Sequence, residues 1–276
     1  MSLAILRDSG GEEHSEGGLG GYILHHLQDS NAWLGSHLPH FEPVTLFGIS
    51  IDFSITTHVL MLWIASLILI VAFWLSFRKP KAVPTGLAGV LESIVLFIRD
   101  EIAVPNIGEK LGKKLTPFLA TIFFFILTMN LLGLIPLFST ATGNLSVTAA
   151  LAIITFVMTQ AYGIKENGLG GYLKHLAPGG VPWFLLPIMV PIEILGLFTK
   201  PFALAMRLFA NMVAGHTVIY ALLGLIIVLG TVLVAPLSIA MAVAINLLEL
   251  FVAFLQAYIF TMLSALFIGM SAHPEH

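Results

Sequence analysis

The feature that most constrains this chain is a series of long apolar stretches without formal charge. Residues 55–77, 116–138 and 145–164 hold no Asp, Glu, Lys or Arg, and 236–270 holds only Glu249. At 1.5 Å per helical residue, each is long enough to cross a hydrocarbon core about 30 Å thick. Lipid offers no hydrogen bonds, so a spanning backbone must be a helix or a closed barrel, and a barrel strand would alternate over about ten residues. Continuous runs therefore predict an all-α integral membrane protein. The composition agrees: 58% of the 276 residues are hydrophobic and 10% charged, with a mean hydropathy of +0.98, where soluble domains are about 25% charged. Having no cysteine, the chain forms no disulfide or thiolate metal site. It also lacks a basic patch for nucleic acid.

Residues 1–54 form a polar extramembrane segment, with Asp8, Glu12, Glu13, Glu16, Asp29, Glu42 and Asp52 against Arg7. It reads as no signal peptide, because its short apolar run is followed by charges and glycine. His14, His25, His26, His37 and His40 match no established metal-ligand spacing, so solvated side chains are expected. In 84–105, Leu87, Val90, Leu91, Ile94, Val95 and Ile98 recur at helical spacing between charges, which predicts an amphipathic helix lying along the membrane surface. Asn144 begins an N-x-S pattern but is expected to cap the next helix. Arg78, Lys79, Lys81, Arg99, Lys110, Lys113, Lys114, Lys165 and Lys174 all fall on one side of the predicted spans. The positive-inside rule makes that side cytoplasmic and leaves the amino terminus outside.

From Pro187 to Gly230 a helical pattern continues for about 60 Å, roughly twice the membrane thickness, and 236–270 covers about 50 Å. The expected architecture is five transmembrane helices, at about 55–77, 116–138, 145–164, 187–230 and 236–270. The last two would form a long, steeply tilted hairpin. A competing division breaks the first of these at Lys200-Pro201 and reverses the side of the carboxyl terminus.

Glu193, Lys200, Arg207, His216 and Glu249 all lie in this hairpin. Insertion scales put Asp, Lys or Arg at a helix centre at about 2.5–3.5 kcal/mol each. Interhelical polar pairs are one use for such residues. Five in one hairpin, with His58 alone in the other spans, favour an ion path. Glu193, Lys200 and Arg207 are seven apart and share a face, with Asn211 nearby, while His216 lies about 180° away. Glu249 and Gln256 are again seven apart. The hairpin places Glu193 toward the inside, Arg207 near the middle, and His216 with Glu249 toward the outside. Two offset polar half-paths separated by a permanent cation result, because a guanidinium does not deprotonate in a protein. Its anion partner is either Glu249 or a carboxylate brought by another subunit.

The segment KPFALAMRLFANMVAGH at 200–216, with Glu193 ahead of it, resembles the signature region of subunit a of rotary F-type ATP synthases. So do LLELFVAFLQAYIFTMLSALFIGM at 247–270, TPFLATIFFFILTMNLLGLIP at 116–136 and TGNLSVTAAL at 142–151. Roughly 55–272 corresponds in order. The resemblance implies a stator subunit whose hairpin lies against a rotating ring of c subunits. It would be held by b-type peripheral stalk subunits and the rest of the complex, in a bacterial inner or plasma membrane. Arg207 would face the ring carboxylate, Asn211, His216, Glu249 and Gln256 would belong to the outer half-channel, and Glu193 to the inner one. Many bacterial members carry glutamate at the position of His216 and histidine at that of Glu249; here the pair is exchanged, as in mitochondrial relatives. The chain has no Walker A loop and no other motif of active-site chemistry, so it is expected to need no cofactor and to make no ATP itself. A secondary transporter or antiporter and a purely structural membrane subunit are the alternatives.

Overall fold

The computed structural model describes residues 32–33, 36–37, 44–46, 49–51, 54, 56–78, 84–135, 138–175, 184, 186–229 and 235–273. Of the amino-terminal histidines, His14, His25, His26 and His40 lie outside the described residues. Within that segment are two short antiparallel ladders, β1 (Ala32–Trp33) with β2 (Ser36–His37) and β3 (Val44–Leu46) with β4 (Ile49–Ile51). From there on, helices dominate, and five are long and apolar enough to cross a membrane.

Helix α1 (Thr57–Phe77) buries only Thr57, His58, Met61 and Ala65. Apart from Thr57, those residues fall on one stripe at helical spacing, while Trp63, Leu67, Ile70 and Trp74 point outward. The helix expected over 84–105 is present as one continuous helical run over 87–107, with a π-helical turn inside it. Helix α2 (Leu87–Phe97) runs into a π-helical turn, Ile98–Ala103, and then α3 (Val104–Ile107). The wider i→i+5 turn lets Ile98, Ile102 and Ala103 all reach the core at 0% exposure. Arg99 donates to both carboxylate oxygens of the neighbouring Asp100, at 2.8 and 3.0 Å, and this holds the Asp100 pKa below its ordinary value.

Gly108, at φ 94°, reverses the chain into α4 (Glu109–Gly133). This helix starts seven residues before the uncharged run at Thr116. Lys110, Lys113 and Lys114 stay exposed on its outer stripe while Leu111, Gly112 and Leu115 turn inward. It is the most buried of the five long helices and forms the centre of the bundle. A 3₁₀ turn, Ala141–Gly143, leads to α5 (Leu145–His175), which kinks at Gly168 (φ 70°). Asn144 caps it: its Oδ1 accepts the Ser146 N–H at 2.8 Å.

Helix α6 (Leu186–Leu229) passes through Lys200 and Pro201 without a break, which excludes a division of the run there. With α7 (Ala235–Ala272) it makes an antiparallel hairpin of about 66 Å and 57 Å arms. The turn expected near 230–236 lies largely outside the described residues. Helix α5 runs parallel to α7. Thr155 and Ser264 are 3.4 Å apart, and Asn167 Nδ2 donates to the Ser271 and Ala272 carbonyls at 3.0 and 3.1 Å. Those bonds satisfy carbonyls that a helix end leaves without partners. Backbones approach closely where glycine permits it: a Cβ on Gly112 would meet the Ala103 carbonyl at 2.7 Å, and one on Gly269 would collide with the Asn106 carbonyl.

This arrangement puts exposed Ser146 at one end of the bundle and exposed Glu166 and His273 at the other. Single cysteines at these positions, in a chain with none of its own, are expected to react with an impermeant maleimide from opposite faces. Ser146→Cys should label from one side, Glu166→Cys and His273→Cys from the other.

Candidate functional site

Antiparallel packing of α6 on α7 brings together residues distant in sequence. Asn211 Nδ2 donates to Gln256 Oε1 at 2.8 Å. Toward the hairpin turn, His216 Nδ1 lies 3.3 Å from Glu249 Oε1, with side-chain exposures of 12% and 8%. The imidazole Nδ1 also lies 3.1 Å from the Met212 carbonyl, and neither carboxylate oxygen has an aligned hydrogen-bond donor among the described residues. The contact is thus one of charge and proximity. At this separation a proton held by either group lies within reach of the other.

On its far side the ring meets α4 and the connector after it. His216 Nε2 is 3.0 Å from the Gly133 carbonyl and 2.8 Å from Thr140 Oγ1. Both nitrogens therefore have a carbonyl to accept a proton they carry, and the threonine hydroxyl can donate to Nε2 when it is bare. Beneath this layer, Asn130 Nδ2 donates to the Ala253 carbonyl at 3.4 Å and its Oδ1 accepts from Thr142 at 2.8 Å. Gly215 leaves room for the carboxylate, since a Cβ there would overlap Glu249.

Arg207 stands elsewhere. It is exposed on α6, and among the described residues no hydrogen bond or ion pair engages it. Of the two partners left open by the sequence, Glu249 instead faces His216, nine residues and about 13 Å along the helix axis from Arg207. Glu193 is half-buried, about 21 Å along α6 on the other side of Arg207. It lines a cavity of about 70 Å³ with Lys200, Tyr172, Gln160, Thr159 and Ser271. That volume suffices for a few waters, and the lining supplies polar partners for them. Tyr172 donates to Gln160, after the Gly168 kink has folded the end of α5 back over the opening.

Four of the sequence-predicted residues thus meet as two pairs, while Glu193 and Arg207 remain apart from them and from each other. Sequence reasoning missed Gly133, Thr140, Gly215, Gln160 and Tyr172. The signal for Gly215 was its place beside His216; Thr140 and Tyr172 gave none, being uncharged residues in a connector and a polar helix end. Among the described residues no group of three or more His, Cys, Asp or Glu could hold a metal ion.

The profile of the family described as ATP synthase A chain matches residues 59–269. The chain is 60% identical over 229 residues to the ATP synthase subunit a of Myxococcus xanthus (strain DK1622), covering 82% of this chain and 75% of that one. It is 53% identical to the ATP synthase subunit a of Anaeromyxobacter dehalogenans (strain 2CP-C), covering 94% and 71%. To the ATP synthase subunit a of Chlorobium phaeobacteroides (strain BS1) it is 49% identical, covering 95% and 79%.

The glycine contact gives a sharp expectation. Gly215→Ala pushes the Glu249 carboxylate away from His216 and lowers proton flux in inverted vesicles by roughly tenfold, at normal abundance. The change is read from quenching of a pH-sensitive dye, and unaltered flux would contradict the placement of the carboxylate.

Proposed function

The chain belongs to the ATP synthase A chain family, and from that premise we propose that it moves protons through two offset half-channels past the carboxylates of a rotating c-ring. It is a membrane-embedded, non-catalytic subunit that works with the rest of a rotary ATP synthase. The observation that carries the reading is Arg207: a permanent cation exposed on a membrane-spanning helix, with no partner of its own among the described residues. A guanidinium within the hydrocarbon layer needs an anion, and a ring carboxylate brought past that face supplies one.

A proton enters from outside, reaches the His216–Glu249 pair and passes to a ring carboxylate. Once neutral, that carboxyl can turn into lipid without the cost of a buried charge. At the end of the turn it meets the cavity beside Glu193, where water can receive the proton. Arg207 then favours the carboxylate form. The guanidinium cannot relay a proton, so it also keeps the two paths from joining. Each charge crossing yields about 2.3 kcal/mol per 100 mV. The amino terminus faces outside and the carboxyl terminus the cytoplasm of a bacterial inner or plasma membrane, and b-type stalk subunits hold the chain against rotation. The relatives reported above are all ATP synthase subunits and lend the transporter alternative no support.

Two outcomes check this. Arg207→Ala should abolish ATP-driven pumping while the complex still assembles, and Arg207→Lys should fail nearly as badly, because an ammonium is more strongly hydrated and loses its proton when buried. Pumping at the normal rate in either variant would reduce Arg207 to structural glue. The second outcome concerns the exchanged pair. His216→Glu and Glu249→His each leave two like groups in contact and should lose most flux. The double exchange restores one carboxylate and one imidazole and should recover a substantial part, a coupling that a double-mutant cycle measures.

A further inference from the structure

The segment between α4 and α5 contributes two hydroxyls that face opposite ways. Thr140 Oγ1 reaches His216 Nε2 at 2.8 Å, and Ser139 Oγ reaches His58 Nε2, in the first turn of α1, at 3.3 Å. His58 is 3% exposed, and Thr57 beside it 4%. The seat of Thr140 is built: a Cβ on Gly133 would come within 2.9 Å of its side chain, and the Gly133 carbonyl lies 3.4 Å from its hydroxyl. Polar groups this deep in an apolar bundle are retained where they are bonded. These bonds form one layer, from α1 through the connector to α6.

We propose that protons reach His216 through the Thr140 hydroxyl, and that His58 is a positioning residue that holds the connector in place through Ser139. The inference rests on the half-channel reading above and extends it to residues that no charge pattern marks. In the transfer, a proton arriving from water on the outer side binds a lone pair of Thr140 Oγ1. The hydroxyl releases its own proton to His216 Nε2. Threonine ends unchanged, and the imidazole gains one proton, which it can pass on to Glu249. A threonine that only filled space would need no hydroxyl, and a histidine that only filled space would need no hydrogen bond to the connector.

The test uses the whole complex in inverted vesicles, with proton flux read by pH-dye quenching and scaled to abundance. Thr140→Val, which keeps the shape but has no hydroxyl, should cut flux roughly tenfold or more, whereas Thr140→Ser should keep about half or more. His58→Leu should lower flux, and His58→Gln, which can still bond Ser139, should restore most of it. Equal flux in Thr140→Val and Thr140→Ser, high or low, overturns the relay. Normal flux in His58→Leu, or no rescue by His58→Gln, overturns the tether. Arg207→Ala, run alongside, separates the two levels: if it pumps normally the half-channel reading itself fails, and if it is dead while Thr140→Val is normal only the present inference fails.

Discussion

A guanidinium placed in hydrocarbon costs a few kcal/mol even after local adjustment, and this chain places Arg207 on an exposed face of α6 without meeting that cost internally. Much else follows from the constraint. Lysine would not serve there, because it can shed its charge. The carboxylate that could have neutralised it, Glu249, is turned toward His216. The helix pair is long enough, at about 66 Å and 57 Å, to keep the His216–Glu249 pair and the cavity beside Glu193 well apart on either side of the cation. Glu249 and Arg207 therefore serve separate ends of the proposed path instead of neutralising each other.

Keeping these groups apart demands a rigid frame, and small residues supply it. Gly215 admits the Glu249 carboxylate, Gly133 admits Thr140, and Gly112 and Gly269 let the segment between α2 and α4 touch two backbones at once. Without a hydrophobic force between helices in lipid, such close approach is what association relies on. The π-helical turn at Ile98–Ala103 serves the same end, since it turns three apolar residues of one segment into the core. Asn167 closes the carboxyl-terminal end of α7 by bonding its last carbonyls.

Much of this was legible in the residues. Uncharged runs mark spans because lipid penalises each charge severely, and the seven-residue spacing of Glu193, Lys200 and Arg207 marks a shared face because a helix drifts only about 20° per heptad. Other features were hidden for physical reasons. Helix α4 begins at Glu109 because a helix can keep Lys110, Lys113 and Lys114 on its wet stripe while burying Leu111 and Leu115; a charge count sees only the lysines. Pro201 in a soluble helix would mark a break, yet α6 continues through it. Whether Glu249 meets His216 or Arg207 depends on the register of the hairpin, which periodicity along each helix does not set. Thr140 is bound to its partners only through tertiary structure.

In the proposed mechanism polar access to the bundle comes from two sides and stops at Arg207, and side-specific thiol chemistry measures that access. In the assembled complex, single cysteines at Gln160 and Tyr172 line the cavity beside Glu193, and at Ser139 and Thr140 the layer around His216. Silver ion or a small cationic methanethiosulfonate is applied to right-side-out or inverted vesicles. Thiols beside Glu193 should react from the cytoplasmic face alone and those around His216 from the opposite face alone. A thiol on either side of Arg207 reacting equally from both faces would reveal a continuous pore and rule out two separate half-channels.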